Sequence, residues 1–221
     1  MRTLAATLAL ALAAGACAPR RVAVPVVTTP RFPQFMRPEV PAVLAAGEAA
    51  FLHDRAWRFL QAGDLRNAER ELQAALTLAP TFYPAEAAFG YLALARTDAK
   101  SALPYFDRAL ANRPDYVSAL VGRAETLLAL DRDPEAIEAL EAALAVNPAL
   151  VDIRRRVEVL RFRDAERGLA LAREAARSGR REEAVHAYMV AIARSPESAF
   201  LYRELAAVER GAGDVDSALA H

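Results

Sequence analysis

The sequence is poor in the residues on which most protein chemistry depends. Its 221 residues include one cysteine, three histidines, nine glycines, one tryptophan and a single lysine, Lys100. One cysteine excludes an internal disulfide. The 28 basic and 28 acidic side chains cancel, which removes the single-sign field that draws a protein to nucleic acid through counterion release. No nucleic-acid partner is expected. Aromatic residues make up only 7%, which argues against a strand-rich fold. His53, His186 and His221 lie far apart, and no HExxH, GxSxG, glycine-rich phosphate loop or CxxC occurs. Accordingly no catalytic residues, metal site, cofactor or small-molecule substrate are expected.

Alanine is what the chain has in excess, with 53 residues. It has the best intrinsic helix propensity and lets helix axes approach closely, so an all-α chain is expected. The carboxylates fall at salt-bridge spacing on polar helix faces rather than in isolated pairs.

Residues 1–16 are read as a signal peptide: Arg2 supplies a short positive region, and Thr3 to Ala16 are uncharged and mostly apolar. That stretch is shorter than the roughly 18–20 residues needed to cross a bilayer. Ala14-Gly15-Ala16-Cys17 resembles the lipoprotein box of bacteria, in which a lipid-modified cysteine becomes the mature N-terminus, although Ala14 stands where leucine is usual. The resemblance implies lipidation at Cys17. Because Ala18 is not aspartate, it also implies passage to the outer membrane, facing the periplasm. Residues 17–43 hold Pro19, Pro25, Pro30, Pro33, Pro38 and Pro41 and no periodic apolar face. They are expected to form a stiff, extended tether that holds the body off the membrane.

The body has a period. Pro80, Pro114 and Pro148 are evenly spaced, and Ala68/Ala102/Ala136, Ala75/Ala109/Ala143, Leu72/Phe106/Leu140 and Leu60/Leu94/Leu128 recur in phase with them. Both the interval and the pattern it carries resemble the tetratricopeptide repeat, a helix-turn-helix unit of about 34 residues with small residues where its helices approach and a closing proline. The resemblance implies a right-handed α-solenoid. Units one to three fill residues 44–150, with their internal turns at Gly63-Asp64, Thr97-Asp98 and Asp131-Arg132. The next matching proline, Pro196, falls well beyond the position that the period requires, so 151–164 is read as a helical insertion and 149–178 as one overlong helix. Ala172, Gly179, Ala184, Tyr188 and Ala191 place a fourth unit from 165, and Tyr202, Leu205, Ala206, Gly213 and Ala218 an incomplete fifth ending at His221. The arginines of the long helix interleave with acids and are expected to form pairs three or four residues apart.

Repeats of this family bind extended or helical peptides along the concave face built by their first helices. By that resemblance the groove positions are His53, Trp57, Tyr91, Glu125, Arg173, Arg177 and Arg203. Trp57 and Tyr91 occupy the same slot in successive units. Packing of Trp57 within its own repeat is the structural alternative. The carboxylate clamp of chaperone-binding members requires lysine and asparagine where His53, Trp57 and Ala88 stand, so a chaperone C-terminus is not expected. The expected function is a lipid-anchored scaffold for protein partners in the bacterial cell envelope. The alternative is the N-terminal part of a larger protein whose repeats position substrate for a catalytic domain beyond His221.

Overall fold

The computed structural model describes residues 22–211 apart from 195 and 197, together with 213 and 216. Cys17 and the proposed signal peptide lie outside the described residues, as do Ala218 and His221. Among the described residues there are helices and no strands. A 3-10 turn at Ala42–Leu44 leads into α1 (Glu48–Gln61), α2 (Leu65–Leu78), α3 (Tyr83–Ala95), α4 (Ala99–Asn112), α5 (Val117–Ala129), α6 (Asp133–Val146), α7 (Val151–Arg177), α8 (Arg181–Arg194) and α9 (Ala199–Gly211). The all-α solenoid expected from the repeat period is what the chain forms.

The turns show why the helices break where they do. Gly63, Thr97, Asp131, Gly179 and Gly213 all have left-handed backbone, with φ of 81, 59, 58, 72 and 80°. They recur at the repeat interval on each side of the insertion, so one left-handed residue closes every first helix. Asp64 and Asp98 follow and cap the second helices, accepting from the Asn67 and Ser101 backbone N–H groups at 3.1 Å. In the third unit Arg132 stands at that position and pairs with Glu135 instead. A β-branched residue pays most for φ > 0. Thr97→Gly is therefore expected to raise stability by about 0.5–1 kcal/mol, the relief of left-handed strain less the added freedom of the unfolded chain. Urea denaturation checks it, and an unchanged or lower midpoint would contradict the strain.

Between the turns the small residues sit at the helix contacts. Ala68, Ala75, Ala102, Ala109, Ala136 and Ala143 are all fully buried. Phe106 fills the space between repeats, its ring lying against Gly90 of α3 and Gly122 of α5, where an added Cβ would approach ring carbons to 2.5 and 2.2 Å. Consecutive first helices, α1 with α3 and α3 with α5, pack against each other, and the second helices show no comparable pairing. The first helices therefore line the inside of the curve.

The insertion makes α7 a single helix of 27 residues, about 40 Å long at 1.5 Å per residue. Ala165, which stands one repeat interval after Asp131, offers no left-handed turn residue, so the helix continues. Its first half buries Val157 and Leu160 against α5 and α6, whereas Ala172 belongs to a separate cluster with Tyr188 and Leu205. No residue from Arg161 to Leu171 is buried. Instead the arginines reach across to neighbouring helices: Arg156 pairs with Glu125 at 3.7 Å, Arg161 with Glu141, and Arg163 and Arg167 share Asp133 at 3.1 and 3.0 Å. The expectation of pairing mainly along the helix is thus corrected. Asp133 is nearly buried at the start of α6, and two guanidiniums converge on one of its oxygens.

The largest departure from expectation lies before α1. Residues 24–44 are not a free tether: Val24, Phe32, Phe35, Met36, Val40 and Leu44 pack onto the core cluster of the first two repeats. The prolines do keep the stretch out of a helix up to Pro41, but it turns at Phe32–Phe35, where Phe35 N–H donates to Phe32 O at 3.2 Å. Two phenylalanines and a methionine within five residues carry too much apolar surface to stay in water when an apolar face lies within reach.

Candidate functional site

The inner face of α1, α3 and α5 is the candidate site, and the chain's own residues 31–40 lie across it. Gln61, at the end of α1 and nearly buried, grips the segment's backbone from both sides: its Oε1 accepts from Phe32 N–H at 3.2 Å and its Nε2 donates to Phe32 O at 3.1 Å. Its own carbonyl accepts from Arg31 N–H at 2.7 Å. Phe35 stacks on Phe32 with centroids 5.1 Å apart and lies tilted on Tyr91, also at 5.1 Å. Met36 reaches further along, onto the cluster that contains Leu120 and Val121 of α5. Arg37 pairs with Asp54 of α1 at 2.6 Å, and Tyr116, which caps α5, donates its hydroxyl to Glu39 O at 2.8 Å.

Beneath the segment is an aromatic cluster. Tyr91 is fully buried, edge-on to Trp57 at 5.8 Å and to Phe106 at 5.1 Å, and donates to Ser118 O at 2.8 Å. Burial raises its hydroxyl well above the ordinary tyrosine range. Trp57 is 7% exposed, and His53 is fully buried against the edge of Phe82 at 6.0 Å. Burial first, then the Arg37 charge, lower the His53 pKa to about 4, against weaker upward pulls from Asp54 and the Pro84 backbone. His53 is therefore a neutral ring in the core. Glu125 is pushed up to about 7 by burial, with Arg156 opposing.

Three of the expected groove residues are thus corrected. Tyr91, Trp57 and His53 do face inward, but as core, because the N-terminal segment and the α2–α3 connection close over them. Changing Trp57 and Tyr91 to alanine would open that core rather than strip a free surface. The structure brings Trp57 and Tyr91 together and sets Glu125 against Arg156, outside this aromatic contact. Arg173 and Arg177 lie apart from them, on α7, and line one cleft, which Arg203 of α9 does not line. Arg173 pairs with Glu204 at 2.9 Å and lies over Phe200 at 5.3 Å. Tyr188 donates to the same Glu204 at 2.9 Å, and this end of the array holds a cleft of about 680 Å³. Arg177 is exposed beside Glu174, and Arg203 is exposed on α9.

Sequence reasoning missed Phe32, Phe35, Met36, Arg37, Gln61 and Tyr116. The Phe-Pro-Gln-Phe-Met run inside a proline-rich stretch was the available signal. Among the described residues no group of His, Cys, Asp and Glu is placed to hold a metal, and no helix is long and apolar enough to cross a membrane.

Comparison with known proteins agrees with this architecture. Residues 93–154 match the tetratricopeptide repeat family. Over those residues the chain matches a tetratricopeptide repeat, and its described helices have the helical-repeat fold of such proteins. Protein FlbA of Caulobacter vibrioides is 36% identical over 98 residues, covering 42% of this chain and 16% of that protein, so this chain spans only a small part of that relative's length. The TPR domain of P58(IPK) superposes with a TM-score of 0.52 at 21% identity, over 79% of this chain and 49% of that one. A tetratricopeptide repeat protein from Parabacteroides merdae gives a TM-score of 0.47 at 20% identity, over 79% and 77% of the two chains.

Proposed function

We propose that this protein is an exported scaffold of the bacterial cell envelope, lipid-anchored at Cys17 in the outer membrane and presenting its repeats to protein partners in the periplasm. One observation supports the binding role most directly. The inner face already holds a non-helical stretch of polypeptide, through hydrogen bonds between Gln61 and the backbone of Arg31 and Phe32 and side-chain contacts along α1, α3 and α5. Main-chain hydrogen bonds with side-chain pockets between them are how a surface holds a peptide. The anchoring rests on the sequence of residues 1–18. A lipid with several acyl chains, at about 0.8 kcal/mol per buried methylene, holds a protein at the membrane where one chain alone is marginal.

The anchoring is tested by expressing the full chain and Cys17→Ala with radiolabelled palmitate. The native chain is expected to incorporate label and sediment with outer membranes, and Cys17→Ala to lose both properties while remaining helical. Sedimentation of the unlabelled variant would overturn lipid anchoring.

A further inference from the structure

The segment that crosses the inner face has the properties of a bound ligand rather than of core. Its backbone belongs to no helix: it turns once, Phe35 N–H donating to Phe32 O at 3.2 Å, and Arg31, Pro33, Gln34, Arg37 and Glu39 are exposed while Pro38 is buried. Phe32, Phe35 and Met36 are only partly buried, whereas the surface beneath them, Tyr91 and Phe106, is fully buried. Its contacts divide as peptide recognition divides. Gln61 and Tyr116 hold main-chain atoms of Phe32 and Glu39, while Tyr91, the α5 cluster and Asp54 read the side chains of Phe35, Met36 and Arg37. The connection back to α1 is short and exposed at Ala45, Ala46 and Gly47.

We infer that residues 31–40 are a tethered pseudo-ligand, and that the face beneath them takes from a partner a non-helical peptide of the same chemistry: two aromatic side chains three residues apart on one turn, then a methionine and an arginine. The inference rests on the reading of this protein as a peptide-binding scaffold and names both its ligand class and its closed state. Each feature of that peptide answers one feature of the face. The aromatic pair covers Tyr91, the methionine reaches the apolar patch around Leu120 and Val121, and the arginine meets Asp54. A short linker presents the segment at an effective concentration on the order of millimolar. A partner peptide making the same contacts must compete with that, so it binds the closed chain about a hundredfold more weakly than an opened one.

The test uses the full chain with a protease recognition sequence inserted between Ala45 and Ala46, and a fluorescein-labelled peptide spanning residues 29–41 as probe, read by anisotropy. The uncut chain is expected to bind the probe at least tenfold more weakly than the cut chain, with helicity unchanged by cutting. A probe carrying Phe32→Ala and Phe35→Ala is expected to bind the cut chain at least tenfold more weakly than the native probe. As a second route, the uncut full chain with those same two substitutions should gain probe binding. Loss of helicity when the segment leaves would overturn the inference by showing that it is core, and equal binding by cut and uncut chains would overturn it by placing the probe elsewhere. So would a folded cut chain that takes up no probe, or a dimer of the uncut chain in light scattering, which would make a second copy the occupant. The scaffold reading stands or falls separately: an uncut chain that retains a defined envelope partner through its α7–α9 cleft keeps the scaffold even where the probe results overturn the latch.

Discussion

Replacing Phe106 with alanine is expected to destabilise the first core cluster by about 3–5 kcal/mol, the range for removing a buried aromatic side chain. The ring is 0% exposed, lies edge-on to Tyr91 at 5.1 Å and separates two successive first helices at Gly90 and Gly122. No other side chain is placed to fill that volume without moving a helix. The same geometry predicts an opposite, steric failure for Gly122→Ala. The new methyl carbon would stand 2.2 Å from the ring, so α5 or the ring must shift, at about 1–3 kcal/mol. The two effects are coupled. In a Phe106→Ala background the methyl enters vacated space, and alanine is the better helix former by about 1 kcal/mol, so the Gly122→Ala penalty should vanish or reverse. Urea unfolding followed by the fluorescence of Trp57, the single tryptophan and a member of this cluster, measures all four corners of the cycle. Additivity within about 0.5 kcal/mol would mean that the ring does not lie between these helices.

His53→Met is expected to remove a loss of stability on acidification. The folded pKa of His53 is depressed to about 4, against about 6.5 in an unfolded chain. Between those values the unfolded chain binds a proton that the native chain refuses. The stabilisation is thus present above pH 6.5 and is lost as pH falls toward 4, amounting to about 2–3 kcal/mol between pH 7 and 4.5. Glu125 acts in the opposite sense. Raised to about 7 by burial, it holds a proton in the native chain that the unfolded chain releases above about pH 4.5, so its contribution grows on acidification. The native protein shows the sum of the two. The difference between native and His53→Met isolates the histidine, and it should shift in favour of the variant by about 2–3 kcal/mol from pH 7 to 4.5. A difference independent of pH would mean that His53 reaches solvent or a proton-accepting partner.

Much of the architecture was legible because repeats write their packing into the sequence at fixed intervals. A helix contact that admits only alanine must admit only alanine in every unit, which is why Ala68, Ala102 and Ala136 announced their burial. The turn residues were equally plain at Gly63, Thr97 and Asp131, since each chain reversal needs the same left-handed backbone. The long α7 followed from the late Pro196 and from a stretch, Leu150 to Ser178, that holds no proline and only one glycine, Gly168. The face was harder to read. The family resemblance implied that His53, Trp57 and Tyr91 face the inner side of the first helices, and they are there. Whether an inner side chain is site or core depends on what lies over it, and no periodic signal records that.

The sequence by itself therefore determined the local events: where helices start, where they reverse, and that the proline-rich stretch from 22 to 41 forms no helix. These are set by neighbours a few residues apart, through proline geometry, capping and propensity. Only the tertiary structure decided that this segment turns at Phe32–Phe35 and folds back onto α1, α3 and α5, because that contact joins Phe35 to Tyr91 and Glu39 to Tyr116. Its energy comes from burying Phe32, Phe35 and Met36 on a surface that exists only after the repeats have stacked. The α7 arginines were likewise settled in three dimensions, where Asp133, Glu125 and Glu141 came within reach from other helices.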